Sequence, residues 1–158
     1  MKKLNYPHSA YGDDFCLKMN FALWAIIVFL MRPYIVLIVS ITNGRDRMAF
    51  VNMIYGDRFM LVLGALASVF VIPVLVAQKK RRADAPAGIR WIWRHGRIFL
   101  MIATCTNALF VFVPVALRDA NRINMAGLAQ LAICVWIIYH LFTSRRIKDT
   151  FADFPAHN

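Results

Sequence analysis

The chain has 158 residues, 60% hydrophobic and 17% charged, and its nineteen Lys and Arg against eight acidic residues set the net charge at +11. A soluble domain is nearer half apolar and a quarter charged, so this apolar excess exceeds what its own core can hide. Composition thus excludes an ordinary soluble enzyme, a disordered tail and a disulfide-stapled secreted domain.

The first twenty residues carry Lys2, Lys3, Asp13, Asp14 and Lys18 and lead into an apolar run, Phe21–Ile41. That run is too long for a signal-peptide core and ends in ITNGRD, which lacks a small-x-small cleavage pattern, so it is expected to remain as an anchor. Near its middle Arg32 is followed at once by Pro33. Arg at mid-membrane costs about 2.5–3.5 kcal/mol on insertion scales, which predicts that it faces the bundle or a wet cavity. Pro33 has no N–H and leaves the Phe29 carbonyl, one turn earlier, as a candidate acceptor for the guanidinium. Two readings stay open: a site that attracts an anion or an acidic group of a partner, and a kinked helix whose Arg is satisfied internally.

The segment NGRDRMAFVNMIYGDR has the Met, Phe and Ile to lie along a membrane surface. The second run, Phe59–Gln78, holds Ser68 at mid-depth. Gly64 and Ser68, widened by Ala65 and Ala67, form a small-residue stripe that allows close approach to another helix or a second copy. Pro73 is expected to bend this run.

Residues 79–97 open with Lys79, Lys80, Arg81 and Arg82, continue through a turn-like ADAPAG, and end in IRWIWRHGR. On a helix, Arg90, Arg94 and Arg97 share one face and Ile89, Ile92 and Trp93 another. This predicts a short amphipathic helix at the membrane surface, with Trp91 and Trp93 at the headgroup level and the seven basic residues near anionic lipid. Docking of a cytoplasmic partner is the sharper alternative.

The third run, Ile98–Leu117, carries Thr104, Thr106, Asn107 and Pro114; the fourth, Asn124–Ser144, carries Gln130 and Cys134. Only Arg118–Ile123 joins them, which predicts an antiparallel hairpin. Depth counting places Ser68, Asn107 and Gln130 near the level of Arg32. Arg32, Pro33, Ser68, Asn107 and Gln130 are therefore the candidate intramembrane polar site, with interhelical hydrogen-bond glue as the plainer reading.

Each run is about twenty residues long, enough at 1.5 Å per residue to cross a hydrocarbon core of roughly 30 Å. Lipid offers no partner to an open backbone, so the runs must be helical. The predicted fold is all-α: one domain over residues 1–158, an integral bundle of four transmembrane helices. Thirteen Lys and Arg lie in the two tails and the 79–97 loop, against five in the alternate loops. This bias predicts that both termini and the 79–97 loop are cytoplasmic, and it accounts for the basic clusters without a nucleic-acid partner.

Chemistry is sparse. The chain has no Glu, and no Asp lies in any run, which disfavours proton- or cation-coupled transport. Cys16, Cys105 and Cys134 form no CxxC pair and are expected neither in a disulfide framework nor in a metal site. His95 and His140 near one interface are the pair to weigh as ligands of a single haem, but plain interfacial residues are the better reading. No hydrolytic triad or phosphate loop is present, and neither catalytic residues nor a cofactor are assigned. The expectation is a non-enzymatic accessory, assembly or scaffolding subunit that packs on another membrane protein or on itself. The alternative is a small transporter or channel for an anion or lipid headgroup using Arg32.

Four stretches carry a resemblance: YGDDFCLKMN before the first run, RPYIVLIVS across its middle, FVNMIYGDR before the second, and RRIKDTFADFP after the fourth. In these the chain resembles a small bacterial inner-membrane family known as domain of unknown function 2919. The resemblance implies a four-span inner-membrane protein and brings no chemistry with it. It directs attention to Asp13, Asp14, Arg32, Pro33, Asp57 and Asp153, which lie inside the matching stretches.

Overall fold

Runs this apolar satisfy their backbone groups locally, and the computed structural model of the chain is built of helices. It describes residues 17–42, 51, 54–55, 58–82, 84–118 and 125–154. The expectations for Asp13, Asp14, Cys16 and Asp57, and for the turn between the last two runs, lie outside those residues.

Helix α1 spans Phe21–Thr42 and contains Pro33 without ending there. Its buried residues, Leu23, Ile26, Ile27, Leu30, Pro33, Val36 and Ser40, recur at helical spacing. Val28, Ile35, Ile38 and Ile41 on the other faces are exposed and equally apolar. A helix apolar all round is suited to lipid rather than to water.

The second run folds as α2 (Arg58–Ser68), a single 3₁₀ turn (Val69–Val71) and α3 (Ile72–Lys79). Pro73 causes the tightening. Without an N–H it cannot bond the Val69 carbonyl, and that oxygen instead accepts the N–H of Ile72.

Helix α4 (Ala87–Arg94) follows the extended Pro86, and α5 (Gly96–Arg118) begins after His95. Their axes are bent by 54°, measured from Ala87–Arg94 to Gly96–Phe112. Helix α6 (Met125–Thr143) ends at Ser144, whose side chain accepts the Ile147 N–H at 3.4 Å and so caps α7 (Arg145–Ala152). That bend is 65°, measured from Gly127–Thr143 to Arg145–Ala152. The segments Phe21–Thr42 and Arg58–Lys79 are long and apolar enough to cross a membrane, and each bent pair qualifies when taken as one span. The all-helical prediction therefore holds, with two to four candidate spans.

Helix α5 is the hub, packing mainly on α6 and α2 and on α1 at fewer points. The main core joins Leu23–Leu30 of α1, Val71, Val74 and Ala77 at the end of the second run, Leu100 and Ala103 at the start of α5, and Ile137 and Leu141 at the end of α6. Those four ends meet only if successive long helices alternate in direction. Trp93, Ile147 and Phe151 close this core from α4 and α7. A smaller cluster of Val36, Val51 and Leu61, with Tyr55 against it, closes the opposite end. The segment between α1 and α2, read from sequence as lying along a surface, thus sends Val51 inward, 2% exposed.

Candidate functional site

The α1–α2 interface is built by small residues. A Cβ on Gly64 would stand 3.2 Å from Cγ of Pro33, so the glycine lets the proline ring seat closely, with little room to spare. One residue on from each, the Tyr34 hydroxyl donates to the Ala65 carbonyl at 2.9 Å. One turn on, the Ser68 hydroxyl meets the Leu30 carbonyl across the interface and the Gly64 carbonyl of its own helix at 2.8 Å. The sequence stripe around Gly64 and Ser68 is therefore the seam between α1 and α2.

Arg32 is half-buried beside this seam. Its guanidinium carbon lies 4.8 Å from the Phe29 ring centroid and 5.5 Å from that of Tyr55. Nε of Arg32 is buried without a hydrogen-bond partner, and so is the Tyr55 hydroxyl. Burial pushes the Tyr55 phenol above its ordinary pKa. Arg32 opposes the shift through its positive charge and through the approach of its N–H groups to the phenol oxygen, which falls short of a well-formed hydrogen bond. The expected neighbour of Arg32, a carbonyl freed by Pro33, gives way to two aromatic faces.

Asn107 and Gln130 form a pair of their own across the α5–α6 interface: Nε2 of Gln130 donates to Oδ1 of Asn107 at 2.6 Å. Thr104 bonds the Leu100 carbonyl of its own helix at 2.7 Å. The five predicted site residues thus fall into an α1–α2 group of Arg32, Pro33 and Ser68, and an α5–α6 pair of Asn107 and Gln130.

The basic end divides differently from its sequence pattern. Lys79, Lys80, Arg82, Arg90, Trp91 and Arg94 are exposed, and Arg97 is half-buried. Trp93, expected at the headgroup level, is instead fully buried, because α7 folds back over α4. Its indole lies 5.0 Å from the Phe151 ring, and its Nε1 donates to the Thr150 and Asp153 carbonyls at 3.1 and 3.2 Å. Arg81, expected near lipid, is also drawn inward. It stacks 4.8 Å from the Trp93 ring, donates to the Leu17 and Asp153 carbonyls at 3.1 and 2.7 Å, and pairs with the Asp153 carboxylate at 3.6 Å. Beside this latch, Arg90, Arg94, Arg97 and Lys148 line a cleft of about 580 Å³ between α4 and α7.

The two histidines weighed for haem sit on aromatic rings. His95 rests 4.5 Å from Trp91, with Nδ1 at 2.9 Å from the Trp91 carbonyl, and His140 stacks on Trp136 at 5.2 Å. Among the described residues, no three His, Cys, Asp or Glu side chains gather at one point.

Residues 6–153 match the family described as protein of unknown function (DUF2919). The chain belongs to this family. No curated protein and no solved structure matches it. The match extends through α7 to Asp153, so this DUF2919 chain carries its C-terminal latch inside the family region. Sequence reading treated 145–153 as a tail. The signal for a packed helix was there: Ile147, Thr150 and Phe151 fall at i, i+3 and i+4, and all three are buried. Lys148, which completes the basic cleft, was missed with it.

Proposed function

We propose that this is a four-span inner-membrane protein with both termini and α4 on the cytoplasmic side, serving as a non-enzymatic accessory or assembly subunit for another membrane protein. The alternating helix directions and the collection of basic residues at the α4–α7 end support the topology. One observation carries the role. Ser68, Thr104, Asn107 and Gln130 use their polar atoms on this chain's own groups, whereas Arg32 keeps a buried Nε with no hydrogen-bond partner. A costly intramembrane cation left in this state suits an acidic or carbonyl group brought by a second protein.

The test is a crosslinked pull-down from native membranes with wild type and Arg32→Leu, alongside reporter fusions at both termini and at residue 85. The expected outcome is a recurrent membrane partner near equal stoichiometry, cytoplasmic reporters, and a complex loosened in the variant while insertion persists. Unchanged co-purification would remove Arg32 from the contact. The same unpartnered Nε favours a second reading, transport of an anion or lipid headgroup past Arg32. That reading requires flux in liposomes that Arg32→Leu abolishes, and equal flux in both proteins defeats it.

A further inference from the structure

We propose that the cleft between α4 and α7 is a phosphate-binding site that holds the headgroup of one anionic phospholipid; this rests on the membrane-spanning reading above. At about 580 Å³ the cleft has the size of a small-molecule site. Arg90 and Arg94 come from α4, Arg97 from the first turn of α5, and Lys148 from α7, so four cations converge on one space from three helices. Among the described residues, no acidic side chain lines it. The nearby Asp153 carboxylate is occupied elsewhere, by the Leu17 N–H at 2.7 Å and by Arg81 at 3.6 Å.

Two of the guanidiniums are oriented by rings. Arg90 lies 5.6 Å from the Phe154 centroid, and Arg97 lies 5.5 Å from that of Phe142 while one of its Nη atoms donates to the Phe142 carbonyl at 3.4 Å. Stacking engages the face of a guanidinium, whereas paired phosphate oxygens approach its edge. Nε of Arg97 is buried without a hydrogen-bond partner.

The surroundings choose a lipid over a free anion. The cleft sits where α5 begins and α6 ends, and Trp91, Ile98 and Phe142 stand there 57%, 53% and 53% exposed. A headgroup in the cleft would lay its acyl chains along this apolar surface, whereas inorganic phosphate would leave it uncovered. Basic pockets at the inner ends of spanning helices are suited to such headgroups.

The experiment uses the full chain, equilibrated in vesicles of phosphatidylglycerol and phosphatidylcholine at equal mole fraction and then released into mild detergent for native mass spectrometry of retained lipid. Three proteins are compared: wild type, Arg90→Gln/Arg94→Gln/Lys148→Gln, and Lys79→Gln/Lys80→Gln/Arg82→Gln. The two variants lose the same charge, and circular dichroism checks that both keep their helices. Wild type is expected to retain one phosphatidylglycerol in preference to phosphatidylcholine. The preference should fall by on the order of tenfold in the cleft variant and stay within about twofold in the other. Equal losses in both variants would overturn the cleft in favour of diffuse surface charge. Displacement by millimolar inorganic phosphate would overturn the lipid assignment in favour of a free-anion site. Carbonate extraction of the same membranes separates the two readings. A chain that resists extraction but shows no preference defeats the cleft alone, and a chain that is extracted defeats membrane spanning itself.

Discussion

Arg81 and Asp153, 72 residues apart, meet at the end of the second helical run as an ion pair at 3.6 Å, and Arg81 also donates at 2.7 Å to the backbone carbonyl of Asp153. The Asp153 carboxylate in turn accepts the Leu17 N–H at 2.7 Å, and Arg81 bonds the Leu17 carbonyl. One guanidinium therefore ties the segment before α1 to the segment after α7, stacked on the indole of Trp93.

Removing Arg81 leaves two carbonyls and a carboxylate short of a donor near a closed core. Arg81→Ala is expected to cost about 2–3 kcal/mol, and Asp153→Asn about 1 kcal/mol, since the amide oxygen still accepts from Leu17. The side chains are 10% and 24% exposed, so only part of the ion-pair energy is at stake. Unfolding midpoints in mild detergent measure both. Protease trimming of α7 should accelerate more in the Arg81 variant.

Gly96 opens α5 just after the α4–α5 bend and lies under Phe151. A Cβ there would stand 2.5 Å from Cε1 and 2.9 Å from Cδ1 of that ring, which is itself 3% exposed and packed against Trp93. Gly96→Ala is expected to destabilise by about 1–3 kcal/mol, the usual cost of overpacking. Phe151→Leu should cost stability alone yet recover part of the loss when combined with Gly96→Ala. A double-mutant cycle on unfolding midpoints reads that coupling, and strict additivity would deny the contact.

These contacts show where the sequence was legible. Four apolar runs, the small-residue seam at Gly64 and Ser68, and the basic face of Arg90, Arg94 and Arg97 are periodic signals that survive folding. The burial of Trp93 is not periodic. It follows from a helix more than fifty residues later folding back at Ser144, and a Trp next to Arg reads equally well as a headgroup anchor. Arg81 sits inside a run of four cations, and nothing in KKRR distinguishes it from its neighbours until Asp153 arrives. Depth counting likewise placed Asn107 and Gln130 level with Arg32 but carried no information on helix faces, so it could not separate the α5–α6 pair from the α1–α2 group.

Gly64 tests the seam itself. Gly64→Ala sets a modest crowding of Pro33, at 3.2 Å, against the gain in helix propensity of about 1 kcal/mol, so it should change stability by less than about 1 kcal/mol either way. Gly64→Leu cannot be accommodated by a proline ring. It should part α1 from α2, break the Tyr34–Ala65 bond and cost several times as much. Crosslinking of cysteines introduced at Val36 and Leu61 would register the separation directly.

Tyr55 gives a pH signature. Burial raises its pKa, so the folded state holds the phenolic proton to higher pH than the unfolded chain does. Its contribution to stability is complete below the unfolded value near 10 and is lost as pH rises through the higher folded value. The stability of wild type relative to Tyr55→Phe should therefore decline across that alkaline window and be flat between pH 6 and 9. With only the Arg32 guanidinium beside its hydroxyl, Tyr55→Phe should change stability by less than about 1 kcal/mol at pH 7. Paired unfolding measurements at each pH give both readings, and a decline beginning below pH 9 would contradict the raised value.

The Asn107–Gln130 bond measures how far polar glue holds α6, whose Val135, Trp136 and Tyr139 are exposed. Asn107 is 2% exposed, so a lone Gln130→Leu strands its amide in an apolar setting, while replacing both removes the need for a bond. Each single change to Leu should therefore destabilise more than the double change implies, with a coupling of about 0.6 kcal/mol and a ceiling near 1.7. Unfolding in detergent provides the cycle. A coupling within error of zero would mean that α6 is held on α5 by packing at Ile137 and Leu141, and that the amide pair merely satisfies itself.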